Sequence, residues 1–262
     1  MSEIQAQGLR VERLDHTAVI TMNNPPANTW TPQSLNALER LIGELNTDRD
    51  NYALVITSDS EKFFSAGADL NQFNHSDKAR AFEFADAFGR AFTALANYRG
   101  VSIAAITGFA MGGGLEVALA CDFRIAEQQA QMALPECAVG LLPCGLGTQH
   151  LPWLVGEAWA KRMILLGERV KAEQAERIGL VQELVATGAA RERALALAAK
   201  VEGQSPTSVR YCKELIMAAR ERPLNGEFAR ERELFVKLWE SEDQREGVNA
   251  FLEKRRPAWK NN

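Results

Sequence analysis

The stretch FAMGGGLEVALACD, residues 109–122, sets three consecutive glycines before an apolar run that carries a single carboxylate, Glu116. The glycines follow VSIAAITG, residues 101–108, an apolar stretch typical of a buried strand. The run after them predicts a helix, so the glycines lie at a turn from strand to helix. Such a turn leaves backbone N–H groups without partners, and the missing Cβ atoms let a ligand oxygen approach them. A tight turn that binds nothing is the alternative interpretation of this segment alone.

A second glycine turn occurs earlier in the chain. FFSAGADL, residues 63–70, follows another predicted buried strand, YALVITS, residues 52–58. Its amides at Gly67 and Ala68 are candidate donors of the same kind. Two such turns can supply two hydrogen-bond donors to one carbonyl oxygen.

Two glutamates stand in apolar surroundings. Glu116 lies in the predicted helix, and Glu136 lies in LPECAVGLLP, residues 134–143. A buried carboxylate is costly unless it is protonated, paired or solvated, and no arginine flanks either residue closely in sequence. Each glutamate therefore forms a salt bridge with a distant residue or belongs to a functional site.

Strand and helix patterns alternate up to about residue 186, and helical patterns alone follow. This order predicts an α/β core with an all-helical C-terminal part joined near Gln204–Pro206. LRVERLDHTAVITMN, residues 9–23, predicts a β-hairpin, and a long amphipathic helix is expected from Asp77 to Tyr98. Further helical patterns lie at 32–45, 157–166, 171–178, 187–203, 205–221, 225–240 and 242–255.

Composition excludes several classes of protein. The chain has 262 residues and a formal net charge of -4, without a long basic block, so nucleic-acid binding is not expected. It begins without a signal-like segment and has no long uninterrupted apolar run, which predicts a cytoplasmic protein without a membrane span. The four cysteines lack paired or metal-binding spacing, so neither a disulfide framework nor a metal site is expected, and most should be reduced packing residues.

The segments FSAGADL, ITGFAMGGGLEVALACDFRIA, MALPECAVGLLP, GTQHLPWLVG and AERIGLVQELV together resemble the crotonase (enoyl-CoA hydratase/isomerase) superfamily in order and spacing. The resemblance covers nearly the whole chain. It implies a crotonase-like spiral of ββα units over residues 1–203, and a C-terminal helical part over 204–262 that assembles trimers, commonly stacked into hexamers. It also implies a coenzyme A thioester as the substrate, with no separate cofactor.

The resemblance assigns roles to four residues. The backbone amides of Ala68 and Gly113 correspond to an oxyanion hole for the thioester carbonyl. Glu116 would orient and deprotonate a water molecule, and Glu136 would deliver a proton to C2 of a 2-enoyl thioester. The implied activity is hydration of 2-enoyl-CoA, and the two glutamates should titrate as a coupled pair because they share a water. Burial among Ala133, Leu134, Ala138 and Val139 is expected to raise the pKa of Glu136.

Further positions follow from the same resemblance. Asp69 is expected to stabilise its turn. Cys144 stands where many hydratases have glycine and would reshape the acyl pocket or the water site, to which Phe73 also belongs. The positions implied to bind coenzyme A are Lys62, Ala66, Asp69, Leu70, Ala27 and Asn28, with Phe251 and Lys254 reaching the coenzyme A of a neighbouring subunit.

Other functions stay open at this point. With Glu136 alone active, the site would be a Δ3,Δ2-enoyl-CoA isomerase. Some members of this superfamily bind RNA, and a non-catalytic member is a further alternative. Cys144 as a nucleophile with His150 as its base is also conceivable, although no third orienting group is apparent.

Overall fold

Strands and helices alternate along the first part of the chain. The structure is a computed structural model that describes residues 4–73, 77–220 and 224–261. The strands are β1 Ile4–Ala6, β2 Leu9–Leu14, β3 Thr17–Met22, β4 Ala53–Ser58, β5 Phe63–Ser65, β6 Val101–Ile106, β7 Phe109–Met111, β8 Phe123–Glu127, β9 Gln131–Ala133, β10 Val170–Lys171 and β11 Glu183–Val185. The helices are α1 Pro32–Thr47, α2 Lys78–Ala96, α3 Gly113–Leu119, α4 Gly147–Leu165, α5 Ala172–Arg177, α6 Ala190–Glu202, α7 Pro206–Ala218, α8 Leu224–Lys237 and α9 Glu242–Leu252.

The strands form two sheets that the chain visits in turn. The larger sheet has the order β1-β2-β3-β4-β6-β8-β11, with the strands from β3 onward parallel, and the smaller has the order β10-β9-β7-β5. The chain passes from β4 to β5 and then to α2, from β6 to β7 and then to α3, and from β8 to β9 and then toward α4. Each turn therefore adds one strand to each sheet and then a helix, which confirms the predicted spiral of ββα units.

Local sequence signals explain where the helices flanking the site begin. Thr31 caps α1 with its side chain and Ser34 returns a hydrogen bond to the cap, while Pro32 occupies the first helical position. Asp77 accepts hydrogen bonds from the amides of Ala79 and Arg80 at the start of α2. Both helices then bury their apolar faces in the main core.

Two sequence predictions require correction. The helix expected at 157–166 begins ten residues earlier, as α4, and Gly156 interrupts it with a backbone φ of 77°. Pro152 lies inside this helix and Gly156 leaves the helical conformation, so the apolar periodicity of 157–166 does not continue into the segment before it. Among the four cysteines, Cys137 and Cys212 are exposed, so the prediction that most of them are packing residues is wrong. Residue 221, the last of one predicted helix, lies outside the described residues.

Asp243 joins the C-terminal helices to the end of the chain. It is 1% exposed, and its carboxylate accepts hydrogen bonds from the amides of Lys260 at 2.7 Å and Asn261 at 3.1 Å. The hydroxyls of Ser205 and Thr207, at the start of α7, lie 3.5 Å from the same carboxylate. This one side chain therefore holds α7, α9 and the terminal segment together.

Replacing Asp243 by alanine should destabilise this arrangement. The substitution removes a buried carboxylate that accepts hydrogen bonds from two backbone amides, and we expect the free energy of unfolding to fall by about 2 kcal/mol. Urea unfolding followed by circular dichroism measures the change. Glu242→Ala is the matched control, since Glu242 is an exposed neighbour in the same helical turn. Equal stability of the two variants would contradict this role.

Candidate active site

Most of the predicted site residues meet at one cavity of about 450 Å³, at the end of β5 and β7 where α3 begins. This cavity is called the catalytic cavity below. The predicted residues that line it are Ala66, Ala68, Asp69, Leu70, Phe73, Gly113, Glu116, Glu136 and Cys144. Segments separated in sequence by tens of residues are thus brought to one place by the spiral.

The two glycine turns lie directly against each other. Gly67 has a φ of +90°, and a Cβ added to it would lie 2.6 Å from the carbonyl oxygen of Met111 and 3.2 Å from the amide nitrogen of Gly113. Only glycine fits there, because it has both the conformational freedom and the small size that this contact needs. Among the described residues, no acceptor takes a hydrogen bond from the amides of Ala68 or Gly113. Both amides therefore remain available to a ligand of the catalytic cavity.

Glu116 is held in the first turn of α3 and is 2% exposed. Its Oε1 accepts hydrogen bonds from the amides of Gly145 and Gly147, both at 2.8 Å. A Cβ on Gly147 would lie 2.8 Å from Oε1, and one on Gly145 would lie 3.0 Å from Oε2. The two amides fix one carboxylate oxygen and leave the other for chemistry. These glycines were not identified from the sequence, although the CGLG segment that contains them was the available signal.

Glu136 also lines the catalytic cavity and lies at the start of a short 3-10 helix, Glu136–Val139. Its Oε2 is buried and has no hydrogen-bond partner among the described residues. Gly112, with a φ of +52°, packs against it, because a Cβ there would lie 3.0 Å from Oε1. An unpartnered buried oxygen at a cavity is suited to a protonated carboxyl group or to contact with a bound ligand.

The surroundings of Glu136 differ in part from those expected. Ala133 and Leu134 are buried, as predicted, whereas Ala138 and Val139 are exposed, Val139 to 55%. Both residues line the catalytic cavity but remain exposed to solvent, so they bury the carboxylate less than predicted.

Burial nevertheless changes the acidity of both glutamates. It raises the pKa of Glu116 to about 7, and the nearby charge of Glu136 adds to the increase, while the hydrogen bonds from Gly147 and Gly145 oppose it. Burial also raises the pKa of Glu136 to about 7. Near neutral pH, a pair of this kind can hold one proton and thus provide both a base and an acid.

Cys144 and His150 do not form a nucleophile and base. Cys144 lines the catalytic cavity, whereas His150 lines a separate cavity beside Cys121. Burial raises the pKa of the Cys144 thiol to about 12, which keeps it protonated. The Nδ1 atom of His150 lies 3.1 Å from the carbonyl oxygen of Leu119. The structure therefore contradicts the cysteine nucleophile.

The residues proposed to bind coenzyme A do not all line the catalytic cavity. Asn28 is buried, and its amide group donates to Ser58 Oγ at 2.6 Å and to the carbonyl oxygen of Phe63 at 3.2 Å. Its side chain thus fixes a loop and does not line the catalytic cavity. The carbonyl oxygen of Ala27 accepts a hydrogen bond from the amide of Ala66 at 2.9 Å, which ties this loop to the cavity edge.

Lys62, Phe251 and Lys254 lie on the surface, whereas Asp69 is half-buried at the cavity wall. Lys62 is exposed, with its Nζ 5.2 Å from the centre of the Phe63 ring. Asp69 accepts hydrogen bonds from the backbone and side chain of Asn71, so its predicted turn-stabilising role is confirmed. Phe251, 82% exposed, and Lys254 lie at the end of α9 and do not line the catalytic cavity.

The described part of the chain holds neither a cluster of metal ligands nor a membrane-spanning helix. Within residues 4–73, 77–220 and 224–261, no three His, Cys, Asp or Glu side chains are grouped as metal ligands would be. Over the same residues, no helix combines the length and apolar character needed to cross a bilayer.

Known proteins share both the sequence and this fold. Residues 12–262 match the family described as enoyl-CoA hydratase/isomerase. The short-chain-enoyl-CoA hydratase of Clostridium acetobutylicum is 34% identical over 94% of this chain and 95% of that protein. The 2,3-dehydroadipyl-CoA hydratase of Escherichia coli is 36% identical over 96% of this chain and 98% of that protein.

Solved structures extend the comparison. Pseudomonas aeruginosa DspI superposes with a TM-score of 0.95 at 64% identity, covering 98% of each chain. The enoyl-CoA hydratase of Bacillus anthracis superposes with a TM-score of 0.93 at 31% identity, covering 98% of this chain and 100% of that one. With the family match over most of its length and the site geometry described above, the chain belongs to the enoyl-CoA hydratase/isomerase family.

Proposed function

We propose that this protein is an enoyl-CoA hydratase, which adds water across the 2,3 double bond of a 2-enoyl-CoA thioester to give 3-hydroxyacyl-CoA. The observation that carries the proposal is the meeting, at one cavity, of two free backbone amides and two carboxyl groups whose pKa values are raised toward neutrality. Amides of this kind stabilise the negative charge that develops on a thioester oxygen.

The reaction follows from these groups. The amides of Ala68 and Gly113 polarise the thioester carbonyl and make C3 electrophilic. Glu116 takes a proton from a water molecule as its oxygen forms a bond to C3, and Glu136 gives a proton to C2 as the enolate collapses. The pair then exchanges a proton with solvent to restore its starting state. Two fixed donors at the oxyanion contribute roughly 2.7 to 4 kcal/mol each to lowering the barrier.

Substrate binding and assembly extend this proposal. The nucleotide part of coenzyme A would pass Ala66 and Lys62, and the pantetheine would follow the backbone near Ala27. Phe251 and Lys254, which are exposed in a single chain, would contact the coenzyme A of a neighbouring subunit in a homotrimer or a hexamer. Coenzyme A is part of the substrate, so no separate cofactor is needed. A cytoplasmic location fits this chemistry.

Isomerisation is the second candidate activity. The unpartnered Oε2 of Glu136 could move a proton between C4 and C2 of a 3-enoyl thioester without help from Glu116. The same oxyanion amides would serve both reactions.

The direct test follows the ultraviolet absorbance of the conjugated enoyl thioester. Crotonyl-CoA and longer 2-enoyl-CoA substrates should lose this absorbance as water adds, and the rates rank the chain lengths. The absence of a change with every substrate would contradict hydration. A gain of absorbance with 3-enoyl-CoA alone would favour the isomerase.

The pH dependence of kcat/KM should be bell-shaped with its maximum near pH 7. The active form of the pair carries one proton, and both carboxyl groups have pKa values raised to about 7. Below the maximum, protonation of Glu116 removes the base. Above it, ionisation of Glu136 removes the acid. Initial rates with crotonyl-CoA between pH 5 and pH 9, roughly two units on either side, measure the profile. A flat profile would contradict the assigned roles.

A further inference from the structure

The catalytic cavity is lined by acidic side chains without a basic counterpart. Its charged lining residues are Asp69, Glu116 and Glu136, and the described part of its wall includes no lysine or arginine. Lys62, the basic residue assigned to the coenzyme A phosphates, lies outside this wall. An anionic group that entered the cavity would thus meet carboxylates and no cation.

Apart from Thr29, the side chains in the rest of the wall are apolar or belong to Cys144. Phe73 and Phe88 line the cavity, and the ring of Phe84 packs between them, with its centroid 4.9 Å from that of Phe73 and 5.1 Å from that of Phe88. Leu142 and Cys144 also line the cavity, and the Cys144 thiol is kept neutral by its burial, which raises its pKa. These groups can contact an alkyl chain but cannot replace the water lost by an ionised carboxylate.

We infer, on the basis of the proposed hydratase activity, that the acyl subsite takes an uncharged acyl group and rejects an acyl chain that ends in a carboxylate. The Escherichia coli relative is named a 2,3-dehydroadipyl-CoA hydratase, a name that describes a six-carbon chain with a terminal carboxylate. This chain shares 36% identity with it. The chemistry of the cavity wall predicts that the two proteins differ in this preference.

The physical reason is electrostatic. With the thioester carbonyl on the amides of Ala68 and Gly113, C3 lies beside the two glutamates, and the terminal carboxylate of a six-carbon chain is only three carbons farther along. It would lose hydration in an apolar cavity and be repelled by the ionised member of the glutamate pair and by Asp69. A site that leaves a substrate's charge unpaired discriminates against that substrate far more strongly than a site discriminates between substrates that differ by one methylene group.

Three substrates of equal chain length test the inference. We expect kcat/KM for 2,3-dehydroadipyl-CoA to be at least about 100-fold below that for 2-hexenoyl-CoA. The ω-methyl ester of 2,3-dehydroadipyl-CoA has no terminal charge but keeps both oxygen atoms of the carboxylate. Its kcat/KM should recover to within about tenfold of that for 2-hexenoyl-CoA. Comparable rates for the acid and 2-hexenoyl-CoA, or an ester as poor as the acid, would overturn the inference. Failure to hydrate 2-hexenoyl-CoA and crotonyl-CoA would instead contradict the proposed function.

A charge introduced at the cavity wall provides the second test. Leu142 lines the cavity and is 66% exposed, so a long basic side chain can be placed there without disturbing the core. Leu142→Arg should raise the ratio of dehydroadipyl-CoA to hexenoyl-CoA activity by about tenfold, since a nearby cation offsets the carboxylate. Leu142→Gln is the uncharged control and should leave the ratio unchanged. An unchanged ratio in Leu142→Arg, or an equal rise in both variants, would overturn the inference.

Discussion

Glu116→Gln should lower kcat for the hydration of crotonyl-CoA by about 1000-fold while KM changes by less than about threefold. The glutamine carbonyl oxygen can accept the same two hydrogen bonds from Gly145 and Gly147 that now hold Oε1 at 2.8 Å. The position of the side chain is therefore preserved. A carboxamide cannot take a proton from water, so only the chemical step is lost. Steady-state kinetics by the absorbance assay separate the two parameters.

The control for this variant is another buried glutamate outside the site. Glu127 is 3% exposed and accepts hydrogen bonds from the Gln129 side chain and the amide of Ala190, and it does not line the catalytic cavity. Glu127→Gln should keep near wild-type activity. Any isomerisation of 3-hexenoyl-CoA should persist in Glu116→Gln, because that reaction needs Glu136 alone. Hydration by Glu116→Gln at close to the wild-type rate would remove the assigned role of Glu116.

Glu116→Gln should also change how the stability of the protein depends on pH. The pKa of Glu116 is raised from 4.5 to about 7 in the folded protein, so the folded state binds a proton that the unfolded state has already released between these pH values. The free energy of unfolding attributable to this group therefore falls as pH rises from about 4.5 to about 7. Glu116→Gln should melt at a higher temperature than the wild type at pH 8, and the difference should disappear near pH 4.

The parts of this site that the sequence predicted are those encoded locally. A glycine turn between a strand and a helix is visible in residues 109–122. Gly113 begins the helix, and Glu116 lies in its first turn. The alternation of strands and helices likewise predicted the α/β core. Family resemblance then related Ala68 and Glu136 to the same cavity, although neither is near Gly113 in sequence.

The parts that were missed depend on tertiary contacts. Gly145 and Gly147 act on Glu116 through backbone amides, so no side-chain chemistry marks them in the sequence. Asn28 looks like a polar ligand of the substrate in its loop, yet its partners Ser58 and Phe63 are supplied by a distant part of the chain. Hydrogen-bond partners and the direction of a side chain relative to a cavity are set by packing, which local pattern does not encode.

Glu136→Gln should abolish both hydration and isomerisation, each by about 1000-fold or more, because both reactions require this residue to move a proton at C2. Near neutral pH the native carboxyl is partly protonated, with its pKa raised to about 7 by burial, so a neutral carboxamide of similar shape should be accommodated. Cys137→Ser, at the exposed neighbour on the same 3-10 helix, is the control and should remain active. Loss of hydration with isomerisation intact would contradict a shared proton donor at this position. Loss of both activities in Glu136→Gln, together with isomerisation that persists in Glu116→Gln, would assign water activation to Glu116 and proton transfer at C2 to Glu136.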